Sequence, residues 1–453
     1  MQTYDFGNFK LMLIHAAVYN GRKEIIMKKR FFLLAGIHGM LATLLIIFLC
    51  LSINAEPTPD TTQTADKAVT ASASAAATNK EMRAVWISFW EYGEKKYSKA
   101  QYTKYIDNMF NDCKAKGLNT VIVHVRPFAD ATYPSKYFPW SKYISGTAGK
   151  NPGFDPLKYA VTAAHKRGLD IHAWINPYRI TKDTTKISSL PRNSIARKWA
   201  TSSSASKRRR VLKYNGQLYF NPASSQVQNL IVNGVKEIVK KYKVDGIHFD
   251  DYFYPSLGTS YKKVFDAKEY NAYKKACKKK KKTPMSIVAW RRNNVNKLLK
   301  RVHTAVKSIR KKCSFGISPA GNIDNLYAKN NYYADVKLWM NSTKYIDYIC
   351  PQIYWSFTQK VCPYKETVDR WLAIPRNSKV KIYIGIAAYR AGISKAEAKA
   401  VADIGWSKSN TILKRQVQYL RSKGCDGFAL YSYSSLNRPE AKKELKNLQS
   451  IFN

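Results

Sequence analysis

Eight short apolar runs, each followed by a helical stretch or a longer polar insert, constrain this chain more than any other feature. They are MRAVWISFW (82–90), NTVIVHVRP (119–127), DIHAWINPYR (170–179), VDGIHFDD (244–251), SFGISPAG (314–321), YIDYICPQIYW (345–355), KIYIGIAAYR (381–390) and DGFALYSYS (426–434). Strands that alternate with helices indicate a parallel sheet. The helical segments read clearly. Tyr102, Tyr105, Ile106, Met109 and Cys113 recur at helical spacing and the run stops at Gly117, while two further runs stop at Gly168 and Gly424, each just before a strand. Eight such units close a (β/α)8 barrel, which commonly takes about 250 residues or more. One elaborated barrel therefore accounts for most of the 453 residues. Two longer inserts, 180–215 and 256–289, follow the third and fourth strands, on the face where barrel active sites lie.

The fourth strand carries the chemistry. Within VDGIHFDDYFYP (244–255) alternation sets Asp245, Ile247, Phe249 and Asp251 on one side and His248, Asp250 and Tyr252 on the other. Ile247 and Phe249 call for an apolar layer, so His248, Asp250 and Tyr252 point into the barrel and Asp251 leaves the strand at its mouth. An Asp at a strand end also caps turns. A doublet set among His, Tyr and Phe is better read as a site.

The ends of the other strands complete the list: Trp90 and Glu91; Arg126 and Asp130; Asn176, Tyr178 and Arg179; Ser318 and Asn322; Gln352, Tyr354 and Trp355; Tyr389 and Arg390; Tyr431 and Tyr433. Aromatics, amides and arginines beside a few carboxylates suit a sugar, whose faces stack on rings and whose hydroxyls need paired donors and acceptors. Glycoside cleavage needs an acid together with a nucleophile or base. Asp250 and Asp251 cannot both face inward from one regular strand, so a partner from another loop is expected. Asp130 is the first choice, Glu91 the second and Asp324, which also reads as a helix cap, the third. The substrate-binding set is then Trp90, Glu91, Arg126, Asn176, Tyr178, Arg179, His248, Tyr252, Gln352, Tyr354, Trp355 and Tyr389. No spacing selects a metal, and no cofactor is expected.

Charge and hydropathy place the barrel. The formal net charge of +47, from 77 Lys and Arg against 30 Asp and Glu, calls for an anionic partner or milieu. Nucleic acid is argued against by the N-terminal region. Lys28, Lys29 and Arg30 precede an apolar run from Phe31 to Ile53, the layout of an export signal. The run also reaches membrane-spanning length, so 27–55 reads either as a signal peptide cleaved after Ala55 or as an N-in anchor. Residues 1–26 form a poor leader, with Met27 a candidate start, and 56–80 read as a disordered tether before the domain at 81–453. The expected location is therefore exported, extracellular or bound to wall or membrane, and the anionic partner a wall or membrane surface. The block Lys278–Lys282 reads as a solvated loop. The cysteines Cys113, Cys277, Cys313, Cys350, Cys362 and Cys425 show no CxxC or zinc spacing, and one or two disulfides remain open.

With these residues in view, the chain resembles the glycosyl hydrolase-like 10 family of exported bacterial proteins. MRAVWIS, VRPFADATYPSKYFPW, HAWINPYR, VDGIHFDDYFYP, WRRNNVNKL, FGISPAGN, YIDYICPQIYW and IYIGIAAYR carry the resemblance, in order, over about 81–435. It implies a (β/α)8 barrel acting on β-linked amino sugars of peptidoglycan, including strands that lack stem peptides, with Asp130, Asp250 and Asp251 as acidic cleft residues. The fourth strand is also similar to the chitinase pattern DGxDxDxE. Here His248 replaces the first inward Asp, Asp250 keeps the second and Tyr252 stands where that pattern has its Glu acid. Two functions follow as expectations: a glycoside hydrolase of a wall glycan, or a wall-polysaccharide binder built on a degenerate glycosidase barrel.

Overall fold

The computed structural model describes residues 81–452 apart from Glu94, Thr184 and Tyr252. The export segment and tether lie outside the described residues. Eight parallel strands close a barrel: β1 Met82–Ile87, β2 Thr120–Arg126, β3 Asp170–Ile175, β4 Gly246–Phe249, β5 Ser314–Ile317, β6 Tyr348–Ile349, β7 Lys381–Ile386 and β8 Gly427–Tyr431. Neighbours in sequence are neighbours in the barrel, and β8 closes on β1 through pairs such as Ala84 with Ala429. All eight strand expectations are met.

The long helices that follow the strands pack around the barrel because each has one apolar face to bury. In Ser225–Lys241 the buried set Val227, Leu230, Ile231, Val235 and Ile238 recurs at three and four residues. The glycine stops act as expected: Gly117, Gly168 and Gly424 hold φ of +75°, +64° and +68°, one residue past the caps of helices Lys99–Ala115, Pro156–Lys166 and Ile412–Ser422. The insert after β3 contains a hairpin of Val211–Tyr214 and Gln217–Phe220. The insert after β4 contains the helix Ala267–Lys279, so Lys278 and Lys279 end a helix and only Lys280–Lys282 lie beyond it.

The barrel interior is filled by inward residues of the strands: Met82, Ala84 and Trp86 from β1, Ile122 from β2, Trp174 from β3, Tyr348 and Cys350 at β6, and Ala429 from β8. Rings this large fit only where the neighbouring strand has no side chain at the paired position, as Gly316 beside Tyr348 and Gly246 beside His172. A Cβ on Gly316 would lie 2.1 Å from the Tyr348 ring, and one on Gly246 2.7 Å from the His172 ring. Gly316→Ala is therefore expected to cost stability at the upper end of the ~1–3 kcal/mol typical of an overfilled core. A urea midpoint equal to wild type would show that Tyr348 has room to move. The six described cysteines are all free, so the disulfides left open by the sequence do not form among them.

Candidate active site

The mouth of the barrel is built around Asp250, the first residue past β4. It is buried, and its Oδ1 accepts the Asp251 backbone N–H at 2.8 Å and the Gln352 side-chain amide at 3.1 Å. The same Gln352 amide donates to the Ser318 carbonyl at 3.0 Å, which ties the ends of β4, β5 and β6 together. Burial raises the Asp250 carboxyl above the ordinary carboxylate range, against the pull of the Asp251 and Gln352 hydrogen bonds and of Arg179. Asp251 is only half-buried by surface area, yet its carboxyl is raised well above that range, first by desolvation and then by the charge of Asp250. Two adjacent carboxyls in one pocket share a proton. Of the two, Asp251 is raised further, because the charge of Asp250 adds to its own desolvation.

Tyrosines wall the mouth. Tyr354 and Tyr431 stack at 5.8 Å, and Tyr389 meets both edge-on at 5.7 and 6.1 Å. Tyr354 and Tyr431 both feel the Asp250 charge, and Tyr332, from the loop after β5, feels Asp251 and Asp250. Trp90 is 52% exposed, and its ring lies 4.6 Å from the Lys182 ammonium. Glu91 takes hydrogen bonds from the Ser432 hydroxyl and the Ser434 backbone N–H at 3.0 and 3.2 Å, joining the loops after β1 and β8. Its carboxyl is raised by burial.

Below Asp250 lies a polar column with a fixed hydrogen-bond direction. The Trp86 indole donates to His248 Nε2 at 3.1 Å, so a neutral His248 carries its proton on Nδ1 and donates to the Tyr348 hydroxyl at 2.8 Å. Tyr348 in turn donates to His172 Nδ1 at 2.9 Å. Burial holds both histidines neutral, His248 well below its ordinary range and His172 down at about 4. Beside this column His124 stacks on Trp174 at 3.7 Å.

Several expected contacts sit elsewhere. Arg126 does not line the cleft. A register shift between His124 and Arg126 puts an extra residue in β2 and turns Arg126 outward, its guanidinium 4.1 Å over Phe138 and against Gly234 of helix Ser225–Lys241. Tyr178 is fully buried under the hairpin insert, and its carbonyl accepts the Phe220 N–H at 2.8 Å. Asn176 is spent within the barrel wall, accepting from the Trp174 indole and donating to the Pro127 carbonyl, both at 3.2 Å. His248 is floor rather than surface, and Trp355 leans on Gly321. Asp130, past the end of β2, is not among these displaced residues: its Oδ1 accepts the Phe128 backbone N–H at 3.2 Å, and burial raises its carboxyl to about 6. Asp324 pairs with Arg370 on the surface. Tyr252 lies outside the described residues. The mouth therefore gathers Asp250, Asp251, Arg179, Gln352, Tyr354, Tyr389, Trp90 and Glu91 from the expected set and adds Tyr431 and Tyr332. Among the described residues no group of three His, Cys, Asp or Glu is placed to hold a metal ion.

The fold is a closed (β/α)8 barrel, and its strand ends bring the carboxyls of Asp250 and Asp251 together among tyrosines. The chain belongs to the glycosyl hydrolase-like 10 family, whose model matches residues 81–403. It is 38% identical over 336 residues to glycosyl hydrolase YngK of Bacillus subtilis, covering 70% of this chain but only 62% of that protein's length. To glycosyl hydrolase DigH of Escherichia coli it is 33% identical over 348 residues, covering 74% of this chain and 76% of that one. Among solved structures, an endo-1,4-β-mannanase of Rhizomucor miehei shares the fold at a TM-score of 0.50 and 9% identity, over 82% of this chain and 95% of the mannanase.

Proposed function

We propose that this protein is an exported glycoside hydrolase that cleaves β-glycosidic bonds of a cell-wall glycan, with peptidoglycan strands freed of stem peptides as the leading substrate. The observation that carries this reading is the neighbouring carboxyls Asp250 and Asp251 at the open end of the barrel, with Asp250 fixed by the Gln352 amide beside the stacked Tyr354 and Tyr431. A protonated Asp251 is the group to protonate the leaving oxygen, and the Asp250 carboxylate is placed to stabilise the positive charge that grows on the sugar. Where the sugar carries an N-acetyl group, that group can replace an enzyme nucleophile, with Asp250 polarising it. Tyr354, Tyr389, Tyr431 and Trp90 supply ring faces for flanking sugars. Residues 27–55 would deliver the barrel to the wall, as signal or anchor, and the positive charge suits that anionic surroundings.

The test is to incubate the protein with intact and with amidase-stripped peptidoglycan and count new reducing ends. Release from the stripped polymer is expected, and more of it than from the intact one. A second reading, a wall-polysaccharide binder without turnover, is favoured by one observation: Tyr252 stands where the chitinase pattern has its acid. Tight sedimentation with peptidoglycan and no reducing ends from any glycan would select the binder.

A further inference from the structure

The insert after β4 carries a surface that the cleft does not use. Its helix Ala267–Lys279 has no buried residue. Between Ala267 and Lys282 stand eight lysines, at 268, 274, 275 and 278–282, and one carboxylate, Glu269. That carboxylate is already held by Arg209 through two hydrogen bonds of 2.7 and 2.6 Å. At about 100° per residue, Lys268, Lys274, Lys275, Lys278 and Lys279 fall within an arc of about 140°. The half-buried Glu269, Tyr270, Tyr273 and Cys277 occupy the opposite side.

The second face is pinned to the barrel. The Tyr270 hydroxyl donates to the Met285 carbonyl at 2.8 Å, the Tyr273 hydroxyl accepts the Met285 N–H at 3.0 Å, and both rings pack on Trp290 at 5.5 and 6.0 Å. The helix cannot roll its lysines inward, and Lys280–Lys282 prolong the charge past its end. Lysines four apart, as in Lys274 with Lys278 and Lys275 with Lys279, lie one above the other on the helix and repel. A ligand that brings several negative charges along the helix relieves that repulsion. The five helical lysines span about 17 Å of axis at ~1.5 Å per residue, a row rather than a pocket, which matches an extended polyvalent anion and not a single phosphate.

We propose that this lysine arc docks a linear polyanion with phosphodiester groups along its backbone, at the rim of the same barrel end that holds Asp250. A lipid surface fits less well. Helices that lie on membranes flank their lysines with large apolar side chains, whereas here Tyr270 and Tyr273 are turned onto Trp290 and the arc interleaves its lysines only with Ala267 and Asn271; the exposed Met285 lies beyond the helix. The inference stands whether or not the barrel is catalytic.

The full-length protein would be titrated with 1,3-poly(glycerol phosphate) over a series of salt concentrations. Lys274→Glu, Lys275→Glu, Lys278→Glu and Lys279→Glu combined are expected to lower affinity at least tenfold and to flatten its salt dependence, with the matching four Gln substitutions intermediate. Reversing four exposed lysines that lie just before strands, at the other end of the barrel, Lys166, Lys240, Lys243 and Lys312, is expected to change affinity less than threefold. Equal losses in the two sets would reduce the effect to the overall charge and overturn the assignment. Binding to phosphatidylglycerol vesicles as tight as to the polymer, and lost with the same four lysines, would overturn it in favour of a lipid surface.

Discussion

Asp250→Asn is expected to lower the release of reducing ends from stripped peptidoglycan by about 10²–10⁴-fold, the range of a positioned catalytic carboxylate. The protein itself should not weaken. A carboxyl whose pKa is raised on folding binds more protons in the folded than in the unfolded state, so its contribution to stability falls as pH rises from the ordinary carboxylate range through the raised value. Burial raises Asp250 in this way, so the neutral Asn should leave the melting temperature at neutral pH unchanged or higher. The pH profile separates the roles within the pair. Turnover in the wild type should fall at low pH as Asp250 is protonated and at high pH as Asp251 loses its proton. In Asp250→Asn the charge that helps to raise Asp251 is gone, so whatever activity remains should lose its alkaline limb at a lower pH. Asp251→Asn should remove the alkaline limb outright. Equal rates from Asp250→Asn, Asp251→Asn and wild type would take the reaction away from this pair.

Much of this architecture is legible in the chain because strands, helices and their stops are local features. The alternation along VDGIHFDD separates Asp250 from Asp251, and the stops at Gly117, Gly168 and Gly424 need only their own φ. The site is less legible where its geometry depends on partners distant in sequence. Counting along β2 predicts an inward Arg126, and only the pairing with β3 reveals the extra residue that turns it out. Nothing in NPYR shows that Tyr178 will be covered, since the hairpin that covers it comes some forty residues later. Tyr332 lies fifteen residues beyond the end of β5 in a loop with no periodicity. Two adjacent tyrosines after Asn330 and Asn331 were the only signal available. The column Trp86, His248, Tyr348 and His172 could have been found by extending the inward parity of β4 to β1, β3 and β6. Parity names the inward residues, although not which of them bond to one another.

Arg291→Met is expected to be the most destabilising single change outside the barrel interior, by about 3–5 kcal/mol. Arg291 and Asp266 form an ion pair with both side chains fully buried. The pair is satisfied on every side: Arg291 Nε donates to Asp266 at 2.8 Å, its Nη1 donates to the Tyr333 hydroxyl at 2.8 Å, and the Tyr254 hydroxyl donates to the second Asp266 oxygen at 3.0 Å. Removing the guanidinium leaves a carboxylate in an apolar site, where desolvation already outweighs the other influences on Asp266 and raises its pKa even with Arg291 present. Without Arg291 it should rise further. The penalty belongs to the charged form, so the loss should be small near pH 4 and grow with pH above the ordinary carboxylate range. Adding Asp266→Leu should recover much of the stability, because an apolar pair of similar volume leaves no buried charge. Activity should nevertheless stay low in that double variant. Tyr332 and Tyr333 hold φ of +47° and +54°, a backbone region that costs non-glycine residues about 1–3 kcal/mol each. The Tyr333 hydroxyl is held by the Arg291 guanidinium and by the Lys329 carbonyl, and the adjacent Tyr332 feels Asp251 and Asp250, so loss of the guanidinium is expected to loosen this turn at the mouth. A double variant with restored stability and full turnover would show that Tyr332 needs no such hold; restored stability with turnover still depressed would make Arg291 a positioning residue for the mouth of the barrel.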